Sequence, residues 1–122
     1  MDKYGLIGYP LGHSFSISYF NQRFADEGIN AKYENYEIPS IDILPEILDK
    51  NPELKGLNVT IPYKEKVIPF LDSLSPEARA IGAVNVIRIT HEKNDIILKG
   101  YNSDVIGFTQ SIEPMIDKKW HL

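Results

Sequence analysis

The sequence predicts an α/β domain: a mostly parallel open sheet flanked by helices on both faces, with one antiparallel hairpin strand. Three observations predict it. Strand-length apolar runs alternate with segments of helical period through the first half of the chain, the order that builds parallel sheets covered on both sides. Residues 56–61 alternate strictly between apolar and polar side chains, as a strand does. Residues 83–90 and 96–101 are rich in β-branched residues and separated by a polar stretch, which reads as a hairpin and adds the antiparallel strand.

Each element follows from its residues. Residues 4–8 are a short apolar run ending in glycine and form the first strand. A loop, Tyr9-Pro10-Leu11-Gly12-His13, follows. From about Ser16 to Glu27, Ile17, Phe20 and Phe24 recur at spacings of three and four, one face of an amphipathic helix, and Gly28 is placed to cap its end. Residues 32–38, rich in tyrosine, form the second strand. Ser40 opens a second helix with Leu44, Ile47 and Leu48 as its buried stripe. Pro45 must lie in its first turn, because mid-helix it would break the hydrogen-bond ladder. In the third strand Leu57, Val59 and Ile61 face the core while Asn58 and Thr60 share the opposite face, and Pro62 stops it. A short helix follows with Val67, Ile68 and Leu71 inward. The hairpin loop spans His91-Glu92-Lys93-Asn94-Asp95. Asp104 then caps a last helix.

The bulk properties narrow the function. A length of 122 residues suits one domain with one core. The net charge is -4, with 13 Lys and Arg against 17 Asp and Glu, so no basic face for nucleic acid is expected. Cysteine is absent from the sequence, which excludes disulfide scaffolds, thiolate metal sites and cysteine nucleophiles. Met1-Asp2-Lys3-Tyr4 is not an apolar leader, and no run reaches the length of a membrane span. The expected compartment is the cytoplasm, with no membrane partner. His13, His91 and His121 lie far apart, and no carboxylate spacing suggests a metal site.

In a sheet of this kind ligands bind outside the carboxyl ends of the strands, and polar residues cluster at the predicted ends. Gly12-His13-Ser14-Phe15-Ser16 runs into a helix N-terminus, where free N–H groups and the dipole favour an anion and the two hydroxyls can each donate to a carboxylate. For a lone serine, simple capping is the better account. A phosphate loop would need a longer glycine spacing and a lysine after the second glycine, where His13 stands. Asn58 and Thr60 on one strand face suit a polyhydroxylated ligand, or else form the solvent face of an edge strand. Singly, Lys64 is a surface lysine, Asn85 a turn residue and Asp104 a helix cap.

Taken in order, the pieces His13-Ser14-Phe15-Ser16, Asn58-Val59-Thr60-Ile61-Pro62-Tyr63-Lys64, Gly82-Ala83-Val84-Asn85-Val86 and Gly100-Tyr101-Asn102-Ser103-Asp104-Val105-Ile106-Gly107-Phe108 resemble the substrate-binding domain of the shikimate dehydrogenase family. The resemblance runs from Tyr4 to about Phe108. It implies that Ser14 and Ser16 hold a substrate carboxylate, and that Asn58, Thr60 and Asn85 hydrogen-bond the ring hydroxyls or the carboxylate. Lys64 and Asp104 would be the catalytic pair. The implied reaction is reversible reduction of 3-dehydroshikimate to shikimate with NADPH. Reducing a ketone takes a hydride at carbon and a proton at oxygen; the cofactor supplies the first, and a lysine ammonium can supply the second and stabilise the alkoxide. Four positions depart from the family pattern: Ile17 replaces a proline, Phe20 and Tyr63 stand where histidines are common, and Ser103 replaces a threonine. These changes bear on loop shape and fine substrate preference.

No two of the eight glycines are separated by a single residue, so the chain has no G-x-G-x-x-G and no expected cofactor seat. The expectation is therefore a substrate-binding domain over residues 1–117, with 118–122 beginning a linker to a C-terminal dinucleotide-binding domain that holds NADP outside this chain. The isolated chain should bind shikimate without catalysing. Other readings are a quinate or amino-shikimate enzyme, a stand-alone sensor of shikimate-like acids, and a flavodoxin-like anion-binding domain.

Overall fold

A computed structural model describes residues 1–11 and 15–102, with the backbone alone at 15 and 16. The chain forms β1 (Asp2–Gly8), α1 (Phe15–Asp26), β2 (Ala31–Glu37), α2 (Leu44–Lys50), β3 (Leu54–Val59), β4 (Ser73–Leu74), α3 (Pro76–Ile81), β5 (Val86–Glu92) and β6 (Asp95–Tyr101). The strands make one six-stranded sheet in the order β2-β1-β3-β5-β6-β4. β1 runs parallel to β2 and β3, and β4 runs parallel to β6. β5 is antiparallel to both its neighbours. This is the mostly parallel sheet with one reversed strand that the sequence predicts.

The sheet separates two hydrophobic clusters. On one face α2 buries Leu44, Ile47 and Leu48 against Ile7, Leu57, Val59 and Ile87. On the other, α1 buries Phe20 and Phe24 against Tyr4, Tyr33 and Val86. The side-chain alternation of a strand produces this division: in β3, Leu57 and Val59 face α2, so Asn58 between them faces α1.

Local signals set most boundaries. Ser40 caps the 3-10 turn Ile41–Ile43 through the Asp42 N–H and leads into α2, where Pro45 occupies the first turn and so costs no ladder bond. Gly28 takes φ 66 just beyond α1, a left-handed value that glycine adopts without strain.

Several expectations needed correction. α3 and β4 were not expected. Ser75 caps α3 through the Ala78 N–H, Pro76 begins it, and Gly82 ends it at φ 78. Only Ala78 of the helix is buried, so it has no apolar period to betray it. The expected helix after Lys64 is a run of turns and a 3-10 segment, Ile68–Phe70, although Val67 is buried as anticipated. Ile61 is not a core residue: β3 ends at Val59, and Ile61 is 70% exposed in the following turn. The hairpin is tighter than expected, because pairing continues to Glu92↔Asp95 and leaves only Lys93 and Asn94 in the turn. His91 therefore lies in β5, paired with Ile96. The expected helix from Asp104 lies outside the described residues. No described helix is long and apolar enough to cross a membrane.

Candidate functional site at one end of the sheet

The strand register gathers four of the predicted site residues at one end of the sheet. Asn58 pairs with Val86, which pairs in turn with Tyr101. Just beyond that row the chains are laced together. The Thr60 N–H donates to the Ile7 carbonyl at 3.0 Å, the Val59 N–H to the Asn85 carbonyl at 2.8 Å, and the Asn85 N–H to the Tyr101 carbonyl at 3.0 Å. β1, β3 and β6 all end here and β5 begins here, so this is the carboxyl rim where ligands of such sheets bind.

Asn58 and Asn85 are each 5% exposed. The solvent-face account of Asn58 fails, because β3 is central in the sheet and α1 covers that side. The Asn58 Nδ2 donates to the Tyr33 hydroxyl at 2.9 Å. A buried carboxamide must be satisfied in this way or lose roughly 1–3 kcal/mol. Thr60 lies one residue past β3, and its Cγ2 would be 2.4 Å from a Cβ placed on Gly8. Gly8 is thus the space Thr60 occupies.

Lys64 follows the tight turn in which the Tyr63 N–H donates to the Thr60 carbonyl at 3.0 Å. Its own carbonyl accepts the Val84 N–H at 2.7 Å, so the lysine is tethered one residue from Asn85. Tyr63 is buried and donates its hydroxyl to the Ile38 carbonyl. Burial pushes its phenol up from the ordinary value, and it stays neutral. Ser16 is the second residue of α1. Ser14 and Asp104 lie outside the described residues.

Two contributors were not singled out from sequence. Tyr33, 1% exposed, is the partner of Asn58. Asn102 donates from Nδ2 to the Ala83 carbonyl at 3.0 Å, closing the end of β6 onto the segment that leads to Asn85. For Tyr33 the available signal was the alternation of β2, which puts residues 33 and 35 on one face. For Asn102 it was the Asn-Ser-Asp sequence itself.

The glycines of β1 are filled from within: a Cβ at Gly5 would meet the Tyr36 ring at 2.5 Å, and one at Gly8 would meet Thr60. A surface depression on the outer side of α1 is lined by Ser18, Tyr19, Gln22 and Arg23, among others of that helix. Its described lining comes from α1 and Glu27 just beyond it, so it does not share the convergence seen at the rim.

Fold and rim together define an α/β domain with polar side chains gathered at the ends of its strands. Residues 6–87 match the shikimate dehydrogenase substrate binding domain family, and the chain belongs to that family. It is 52% identical over 110 residues to the shikimate dehydrogenase (NADP(+)) of Syntrophomonas wolfei, covering 88% of this chain and 36% of that relative. Among solved structures, it resembles the dehydroquinate dehydratase and shikimate dehydrogenase from S. pombe, with TM-score 0.81 and 36% identity over 92% of this chain and 21% of that one. It also resembles the shikimate 5-dehydrogenase of Thermus thermophilus in complex with shikimate, with TM-score 0.74 and 32% identity over 93% of this chain and 42% of that one. The chain spans well under half the length of these relatives.

Proposed function

We propose that this chain is the substrate-binding part of an NADP-dependent enzyme that reversibly reduces 3-dehydroshikimate to shikimate. The observation that carries the proposal is the backbone lacing that brings Asn58, Thr60, Lys64 and Asn85 to one rim. Membership of the substrate-binding family and the shikimate-bound relative support the choice of ligand.

In this proposal Asn58, Thr60 and Asn85 present directional hydrogen bonds to the ring hydroxyls, and Ser14 and Ser16 hold the carboxylate near the start of α1. Lys64 gives a proton to the carbonyl oxygen during reduction and takes it back from the hydroxyl in reverse, with Asp104 orienting both. The hydride comes from a nicotinamide held outside this chain, by a dinucleotide-binding domain joined through residues 118–122. The isolated chain binds shikimate and does not turn over NADP(H). The proposed setting is the cytoplasm.

Titration calorimetry on the 122-residue chain tests this, using shikimate, quinate and phosphate separately. Heat with shikimate and none with phosphate is the expected result. Tighter binding of quinate would move the substrate assignment to that acid. Binding of phosphate alone would replace the proposal with a general anion site, and NADP(H) turnover by the purified chain would overturn the division of labour between domains.

A further inference from the structure

We infer that, given the ligand role proposed for Asn58, Tyr33 is a positioning residue for substrate recognition: its hydroxyl fixes the Asn58 carboxamide in the pose that meets a ring hydroxyl.

An asparagine amide turns easily about its last bond, where rotamer wells are broad, and its two ends are nearly the same size. A site that must tell one hydroxyl arrangement from another gains from an amide already held in place. The Tyr33 hydroxyl gives one end of that amide a fixed, buried partner. The two side chains, 25 residues apart in sequence, are both buried and meet at 2.9 Å.

The phenol is itself a fixed point. Its ring stacks on Phe20 with centroids 4.8 Å apart and planes 22° apart. Its backbone is gripped from α1: the Tyr33 N–H donates to Asn21 Oδ1 at 2.9 Å, and Asn21 Nδ2 donates to the Tyr33 carbonyl at 3.1 Å. Helix, edge strand and central strand are thus joined through one hydroxyl to one carboxamide. Phe20 is the stacking partner in this arrangement.

The test is a double-mutant cycle read by shikimate titration of the full 122-residue chain, with Tyr33→Phe, Asn58→Ala and the double variant. Tyr33→Phe keeps the ring and removes only the hydroxyl. It should weaken shikimate binding roughly 3–10-fold, the range one hydrogen bond supports. Asn58→Ala should weaken it at least as much, and adding Tyr33→Phe to Asn58→Ala should weaken it no further. If Asn58→Ala binds as well as wild type, the ligand role of Asn58 falls. If Asn58→Ala weakens binding but Tyr33→Phe does not, or if the two losses multiply in the double variant, the positioning role alone falls. A purely structural tyrosine would lower the melting temperature without this coupling. Should Tyr33→Phe not fold, hydrogen exchange at the Asn58 side-chain amide of the wild-type chain decides the matter. Slow exchange with and without shikimate is expected, and exchange as fast as that of the exposed Gln22 amide overturns the inference.

Discussion

The two faces of the sheet are built from different materials. The face toward α2 is mostly aliphatic, with Ile7, Leu57, Val84 and Ile87 fully buried in one large cluster. The face toward α1 is smaller and aromatic, and it accepts a buried carboxamide at Asn58. Aliphatic packing depends on volume and shape and tolerates no unpaired polar group. Aromatic rings with hydroxyls bring apolar area and a hydrogen-bonding end together. Under the proposed function, stability and recognition are thereby divided across the thickness of one sheet.

Four experiments can break or sharpen this division. The largest effect belongs to the rim. In the proposed two-domain enzyme, Lys64→Ala should lower kcat by roughly 10²–10⁴ in steady-state kinetics, with little change in unfolding, since Lys64 belongs to neither cluster. A loss below about tenfold would separate Lys64 from the chemistry. Next comes the aliphatic face: Leu57→Ala should cost about 2–5 kcal/mol in urea unfolding, while the fraction that stays folded binds shikimate with near-normal affinity. Weakened binding in the folded fraction would show that the faces are coupled.

Gly8→Ala probes the boundary between the two. The added methyl would meet Thr60 at 2.4 Å and Leu11 at 2.8 Å. The expected cost is about 1–3 kcal/mol of stability together with weaker shikimate binding, and a loss of stability alone would remove Thr60 from the ligand set.

The smallest effect lies at the margin of the aliphatic face. Burial works to raise the Glu34 carboxyl, but the hydrogen bond from Tyr36 and the charges of Lys3 and Lys32 more than offset it and hold it below the ordinary value. Burial, and then the Glu34 contact, push the Tyr36 phenol upward. A carboxyl depressed in the folded state contributes stability above its unfolded value of about 4.3. That contribution is lost as pH falls through the folded value. Glu34→Gln should therefore lower stability in the neutral region by less than about 1 kcal/mol, flatten the acid limb below about pH 5, and leave stability nearly unchanged once pH is below the folded value, where the wild-type carboxyl is itself uncharged. An unaltered acid limb would show that Glu34 contributes nothing there.

Elements whose periodic apolar residues meet the core were legible in the sequence. α1 announces itself through Phe20 and Phe24, and α2 through Leu44, Ile47 and Leu48 with Pro45 at its start. α3 does not, because Ala78 is its only buried residue; its cap residues Ser75, Pro76 and Gly82 were the remaining signal. Ile61 was misplaced because alternation says nothing about where a turn cuts a strand short. At the candidate site, motif order singled out Asn58, Thr60, Lys64 and Asn85, which the fold brings to one rim. Their meeting depends on β3 lying between β1 and β5, and strand order is not written in local sequence. The Tyr33 contact was hidden for the same reason: it joins strands that are not adjacent in the sheet, across a face that only packing defines.

The grip of Asn21 on Tyr33 has a consequence beyond the single molecule. β2 is the outermost strand on its side of the sheet, and outward N–H and C=O groups on such a strand are a template onto which a neighbouring polypeptide can add. The Asn21 carboxamide occupies both groups of Tyr33, as a further strand would. Lys32, Glu34 and Glu37 surround that point with charge. The amide that braces the aromatic ring thus also leaves the backbone groups of this one edge residue already taken, where an incoming strand would need them.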